Sequence, residues 1–111
     1  MKDEKVVMFQ IQPRADVDEA AYGAAFEEMV ALVSQIPGFL SITGYTGEGG
    51  SEMAFARFAH DEAIVQWREQ EKHVETRNRG REEFFEAYHI TIATVTREYS
   101  WRRGEAPPIF D

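Results

Sequence analysis

The order of hydrophobic patterns along the chain is the feature that most constrains its fold. Residues 6–12 and 39–46 have the spacing and side chains of strands, and residues 52–58 form a third. The glycine-rich segment 47–50 joins the second and third strands as a hairpin. Between the first two strands lies a helical stripe made of Tyr22, Ala25, Phe26, Met29, Leu32, Val33 and Ile36. With a second helical region and a last long strand at 89–101, the order is βαββαβ. This predicts an α+β, ferredoxin-like fold with a four-stranded antiparallel sheet.

The ends of the first helix carry local signals. Pro13 ends the first strand, and Asp16 is the predicted N-cap, with Glu19 three residues later to complete a capping box. Pro37 and Gly38 end the helix. Residues 82–87 are predicted to be short and irregular or helical.

The second helical region is predicted to be broken. Asp61 is its predicted N-cap, and a straight helix through Val74 would place Glu71 in line with Ile64 and Trp67 and bury its carboxylate. We therefore expect a break between Trp67 and residue 73, with a new helix from about residue 72 to about residue 79.

The strands carry apolar side chains on both faces. Val7, Phe9 and Ile11 point one way, and Val6 and Met8 point the other. Helices on one face of a sheet leave its other face exposed to solvent, and that face must be buried if it is apolar as well. Two such sheets packed face to face solve this problem, so a homodimer is expected.

Composition narrows the class of protein. The 111 residues predict one domain, with a core at 5–101 and a tail at 102–111. The chain has no cysteine, which excludes disulfides and thiolate sites, and its net charge of −8 disfavours nucleic-acid binding. No apolar stretch approaches the roughly 20 residues of a membrane helix, and no secretion signal is visible. We therefore expect a cytoplasmic protein without membrane or nucleic-acid partners.

One local exception is the basic run at residues 77–81. Its arginines either pair with the neighbouring glutamates or form an anion-attracting rim for a carboxylate or phenolate ligand.

Six side chains are candidates for a site. His73 can act as a base near neutral pH, or it can pair with a nearby glutamate. Trp67 can form the aromatic wall of a pocket, or it can belong to the core. Four polar side chains on the strands are candidates for substrate binding: Gln10, Gln12, Arg57 and Arg97. The two arginines either bind a substrate oxyanion or form ion pairs with acids such as Glu98 and Glu52. No histidine pair has metal-ligand spacing, so no metal site is predicted.

The segment from Trp67 and Arg68 to His73, a Pro-Gly-Phe at 37–39 and the final strand ending at Tyr99 together resemble the antibiotic biosynthesis monooxygenase (ABM) family. The resemblance covers about residues 5–101 and implies a dimeric α+β barrel. It also implies a cofactor-independent monooxygenase acting on a flat phenolic or polyketide-like compound. His73 would then be the base, Trp67 the stacking wall, and Arg57 or Gln10 the donor to an oxyanion.

Two other functions stay open. One is haem binding or degradation, with His73 as the iron ligand, although the first strand has no asparagine of the kind found in haem-degrading relatives. The other is a non-catalytic dimer that binds a small ligand.

Overall fold

The computed structural model describes residues 3–108. Its strands are β1 (Lys5–Pro13), β2 (Phe39–Thr46), β3 (Glu52–Phe58) and β4 (Phe85–Thr94). Its α-helices are α1 (Glu19–Val33), α2 (Asp61–Glu69) and α3 (Glu71–Arg79). A 3₁₀ turn, Glu48–Gly50, lies in the β2–β3 hairpin, and a π-helical turn, Gly80–Phe84, leads from α3 into β4. The predicted α+β order is confirmed.

The sheet is antiparallel throughout, with strand order β2-β3-β1-β4. On β1, Val7 lies between Ala56 and Ile92 in the register. Because strand side chains alternate, the odd-numbered residues of β1 share one face with even-numbered residues of β3 and β4. That face turns toward the helices, and the other face carries residues such as Met8 and Gln10.

The best-packed part of the core lies where α1 ends and α2 begins over the sheet. Phe58 and Val33 are almost fully buried there, together with Ala63 and Ile64. Trp67 packs against this cluster from the end of α2. The end of α2 is therefore anchored on the most deeply buried part of the core.

Two helix starts differ from the predictions. Asp18, not Asp16, caps α1, because its Oδ1 accepts a hydrogen bond from the Ala21 amide at 3.0 Å. The carboxylate of Asp16 instead pairs with Arg14 at 3.1 Å. At α2, His60 is the N-cap residue, and Asp61 is the first residue of the helix.

The predicted break in the second helical region is confirmed. α2 ends at Glu69, and Gln70, with extended backbone angles, separates it from α3. The Oε1 of Gln70 accepts a hydrogen bond from the amide of His73 at 2.6 Å, which caps α3.

The last strand starts and ends earlier than predicted. It starts at Phe85, because β1 extends to Pro13, which pairs with Phe85 across a register shift. It ends at Thr94, opposite Lys5 at the start of β1. The final bond on this edge runs from the Val95 amide to the Glu4 carbonyl at 2.9 Å. Residues 95–101 are not assigned to a strand.

The described part of the tail turns back on itself. The indole Nε1 of Trp101 donates to the carbonyl of Glu105 at 2.8 Å. Ile109 and Phe110, which we expect to pack on the barrel rim or a partner, lie outside the described residues. Within residues 3–108, no helix has both the length and the apolarity needed to cross a membrane.

Candidate functional site

A cavity of about 260 Å³ lies between the sheet and the three helices. The helix-facing side chains of the strands form its floor, and α1, α2 and α3 form its walls. Most of its lining is apolar, including Val7, Phe9, Ala54, Ile90, Phe26 and Met29. A cavity of this kind holds an apolar ligand and orients it by a few polar groups.

One part of the cavity wall is a cluster of aromatic rings. Phe85 contacts the rings of Phe9, Tyr88 and Tyr22 edge-on, with ring centroids 5.6–6.3 Å apart. The Tyr22 hydroxyl donates to the Oε1 of Glu52 at 2.8 Å. Burial raises the pKa of the Tyr22 phenol, and the bond to Glu52 raises it further, so this phenol is neutral.

His73 and Trp67 form a stacked pair across the break between α2 and α3. Their ring centroids are 3.8 Å apart, and the ring planes differ by 8°. The Nδ1 of His73 lies 2.7 Å from the main-chain carbonyl oxygen of Trp67. Because a carbonyl only accepts, Nδ1 carries the proton, and Nε2 of the neutral ring keeps its lone pair.

The environment of His73 favours the neutral ring. Burial lowers the pKa of the imidazole, the Trp67 carbonyl partly opposes this, and the nearby positive charge of Arg77 lowers the pKa further. The net shift is downward, so the ring is an uncharged proton acceptor at neutral pH.

The face of α3 below His73 also lines the cavity. Thr76, Arg77 and Gly80 follow His73 by three, four and seven residues, which is the spacing of one helix face. Arg68, next to Trp67, lines the cavity as well. Sequence reasoning did not assign Thr76, Gly80 or Arg68 to a pocket, although helical spacing counted from His73 would have indicated the first two.

The four polar strand candidates do not line this cavity with Trp67 and His73, so neither Arg57 nor Gln10 lies there as the oxyanion donor that the resemblance implies. Gln10 pairs in register with Met53 and His89 on the opposite sheet face, because Phe9 and Ile11 occupy the helix-facing positions of β1. Gln12 lies on that face too, and its amide donates to the Gly49 carbonyl at 3.4 Å.

The two arginine candidates lie away from the cavity as well. Arg57 pairs with Glu4 at 2.6 Å and with Glu98 at 2.8 Å. The ion-pair interpretation of Arg57 therefore fits the structure, with Glu98 as one expected partner. Arg97 is exposed, beyond the end of β4.

Over the described residues 3–108, no group of three or more histidine, aspartate or glutamate side chains is arranged to hold a metal ion.

The shape of the chain agrees with that of several solved structures. It superposes on Rv0793 from Mycobacterium tuberculosis with a TM-score of 0.77 and 21% identity, covering 88% of this chain and 100% of that one. SnoaB from Streptomyces nogalater, a cofactor-independent oxygenase, gives a TM-score of 0.74 at 15% identity over 86% of this chain and 96% of that one. A proposed antibiotic biosynthesis monooxygenase from Nitrosomonas europaea also gives 0.74, at 10% identity, covering 86% and 92% of the two chains.

The chain has the ABM-like fold. The predicted resemblance is thus confirmed at the level of fold. Identities this low do not establish a shared activity. No protein-family model matches the sequence. Among curated proteins, it is 28% identical over 81 residues to the uncharacterized protein YqjZ of Bacillus subtilis strain 168, covering 73% of this chain and 71% of YqjZ.

Proposed function

We propose that this protein is a cofactor-independent monooxygenase that acts on a small, flat phenolic or enolic compound. The observation that carries the proposal is the His73–Trp67 pair on the wall of an apolar cavity. Its stacked and hydrogen-bonded imidazole is neutral and has Nε2 as its proton-accepting atom. SnoaB supports the proposal only as an example of a cofactor-independent oxygenase with a similar fold.

The reaction needs little beyond a base and a dry pocket. Nε2 of His73 takes the proton of a phenolic or enolic hydroxyl, and the resulting anion gives one electron to O2. The radical pair combines into a peroxide anion at the neighbouring carbon, and protonated His73 returns its proton to give the hydroperoxide. Loss of water then leaves a new carbonyl, so one oxygen atom enters the product and the second leaves in water with two substrate hydrogens.

The geometry of the pocket favours small ligands. Its volume of about 260 Å³ lies just below the ~300–1,000 Å³ of ordinary ligand pockets. A ligand of two or three fused rings suits this space better than a tetrapyrrole. Trp67 serves chiefly to hold His73, since His73 covers one face of the indole.

The test is oxygen uptake with a panel of anthrone-like phenols and hydroxyquinones. We expect His73→Ala to lower turnover by about 10²–10⁴-fold, the usual loss when a general base is removed. His89→Ala is the matched control, because His89 lies opposite Gln10 on the other sheet face and should leave turnover unchanged. Equal rates in wild type and His73→Ala would remove His73 from the mechanism.

The haem alternative rests on the same lone pair, because Nε2 of His73 could also ligate iron. Titration with hemin distinguishes the two: a sharpened, shifted Soret band that His73→Ala abolishes would favour haem. Absence of both oxygen uptake and a Soret shift would favour a non-catalytic ligand-binding protein.

A further inference from the structure

The charge of the cavity lining is opposite to that of the chain. The sequence carries 20 acidic and 12 basic residues, giving a net charge of −8. Yet among the described residues that line the cavity there is no aspartate or glutamate, whereas Arg68 and Arg77 both line it. The charged side chains of the lining are thus both cations, which favours an anion, while the carboxylate of Glu52 is bonded to the hydroxyl of the lining residue Tyr22.

The three arginines of the basic run have different surroundings. Arg79 pairs with Glu83 at 3.2 Å, and Arg81 donates to Asn78 at 2.6 Å and to the Tyr88 hydroxyl at 2.8 Å. Arg77, by contrast, has no carboxylate partner within residues 3–108. The ion-pair interpretation of the run therefore fits Arg79, and the anion-binding interpretation stays open for Arg77.

Arg77 also holds a buried donor that the protein does not use. Its Nε is shielded from solvent and has no hydrogen-bond partner among the described residues. A buried N–H on a charged group is unfavourable when unpaired, and folded proteins rarely leave one so. Because Arg77 lines the cavity, a ligand inside the cavity lies next to this cationic side chain.

Arg68 does not share these properties. Its side chain is 60% exposed and lies 3.7 Å from Glu69, on its own helix. Solvent and Glu69 already interact with the Arg68 guanidinium. Arg77 is therefore the lining cation that lacks a partner for its charge and donors within residues 3–108.

We propose that Arg77 recognises an anionic oxygen, a carboxylate or a phenolate, on an aromatic ligand whose rings occupy the apolar part of the cavity. A guanidinium offers parallel N–H donors that match two oxygens, which makes the recognition directional. This proposal deepens the proposed function, because it limits the substrates to acidic aromatic compounds. It concerns binding alone, so it can be tested even if the protein catalyses no reaction.

The experiment measures binding by titration calorimetry at pH 7 without oxygen, so no reaction interferes. Two matched pairs of probes distinguish the effect of ligand charge from the effect of ligand shape. They are 2-naphthoate against 2-naphthamide, and 2-hydroxy-1,4-naphthoquinone against its methyl ether. We expect wild type to prefer the anion of at least one pair by about tenfold or more, as for a hydrogen bond to a charged group. The pair that shows the preference identifies carboxylate or phenolate as the recognised oxygen.

Variants assign the preference to a residue. Arg77→Gln should abolish it and Arg77→Lys should keep part of it, whereas Arg79→Gln, with the same charge change on the same helix, should keep all of it. If Arg77→Gln does not fold, as judged by circular dichroism, Arg77→Lys against wild type provides the comparison. No preference in wild type, no binding of any probe, or a preference that Arg77→Gln leaves intact would overturn the proposal. Anion-selective binding without oxygen uptake would instead overturn only the monooxygenase.

Discussion

The tautomer of His73 is set by a main-chain atom. The carbonyl of Trp67 holds the Nδ1 proton, and the indole of the same residue covers the ring. Residue 67 thus sets both the tautomer and the orientation of the imidazole, while packing against the core. Both sequence interpretations of Trp67, core residue and pocket wall, agree with its position.

The titration of His73 can be measured directly by NMR of its ring nuclei. We expect a pKa below the ordinary value of about 6.5, because burial and Arg77 both disfavour the charged ring. Arg77→Gln should raise this pKa toward the ordinary value while leaving the burial effect in place. A His73 pKa above about 6.5 in wild type would contradict the prediction.

The same shift implies a pH dependence of stability. Since the folded-state pKa lies below the unfolded one, protonation of His73 favours the unfolded chain. The contribution to the free energy of unfolding is complete above pH about 6.5 and is lost as the pH falls from there through the folded-state pKa. His73→Gln should reduce this loss between pH 7 and 5 in urea titrations, and an unchanged profile would contradict the assignment.

At the scale of elements, the sequence predicted what depends on local patterns. The break at Gln70 followed from the cost of burying Glu71, which is a property of one helix. The end of β4 could not be predicted in this way, because it depends on where β1 begins, about 90 residues earlier. The cap at Asp18 was missed because Glu19, three residues after Asp16, favoured Asp16, whereas in the structure the Asp16 carboxylate pairs with Arg14 and Asp18 caps the helix.

The turn between α1 and β2 depends on Gly38. Its φ is +96°, and an added Cβ would lie 2.9 Å from the Cβ of Ala63 and 3.0 Å from Nε2 of His60. We expect Gly38→Ala to lower the free energy of unfolding by about 2–4 kcal/mol, from backbone strain plus overpacking.

Gly49, in the β2–β3 hairpin, is the matched control for Gly38. Its φ is also positive, at +68°, but nothing lies within 4 Å of an added Cβ. Gly49→Ala should therefore cost only the backbone part, about 1 kcal/mol. Chemical denaturation of both variants checks this. Equal losses would mean that the contact with Ala63 and His60 is relieved by movement.

For the whole molecule, we predict a homodimer whose sheets pack face to face. Phe55, Met8 and Met53 lie on the sheet face away from the helices, and Tyr45 of β2, paired with Met53, is 53% exposed. Such a dimer should bury more than the roughly 1,600 Å² of an ordinary interface. Light scattering at micromolar concentration should give twice the chain mass of 12.7 kDa.

A charge on that face tests the geometry. Phe55→Glu should shift the mass toward the monomer, because a carboxylate buried in an interface is strongly unfavourable. Gln66→Glu, the same charge added on an exposed part of α2, should leave the mass unchanged. A monomeric wild type would defeat the prediction.

The alternation of β1 has a consequence for how such a protein changes over generations. Val7, Phe9 and Ile11 line the cavity, and the even-numbered neighbours Met8 and Gln10 do not. Mutations at odd positions can therefore alter which compound fits without disturbing whatever covers the other face, and the reverse also holds. A single strand carries two independently variable sets of positions, so ligand preference can change while the residues of the other sheet face stay the same.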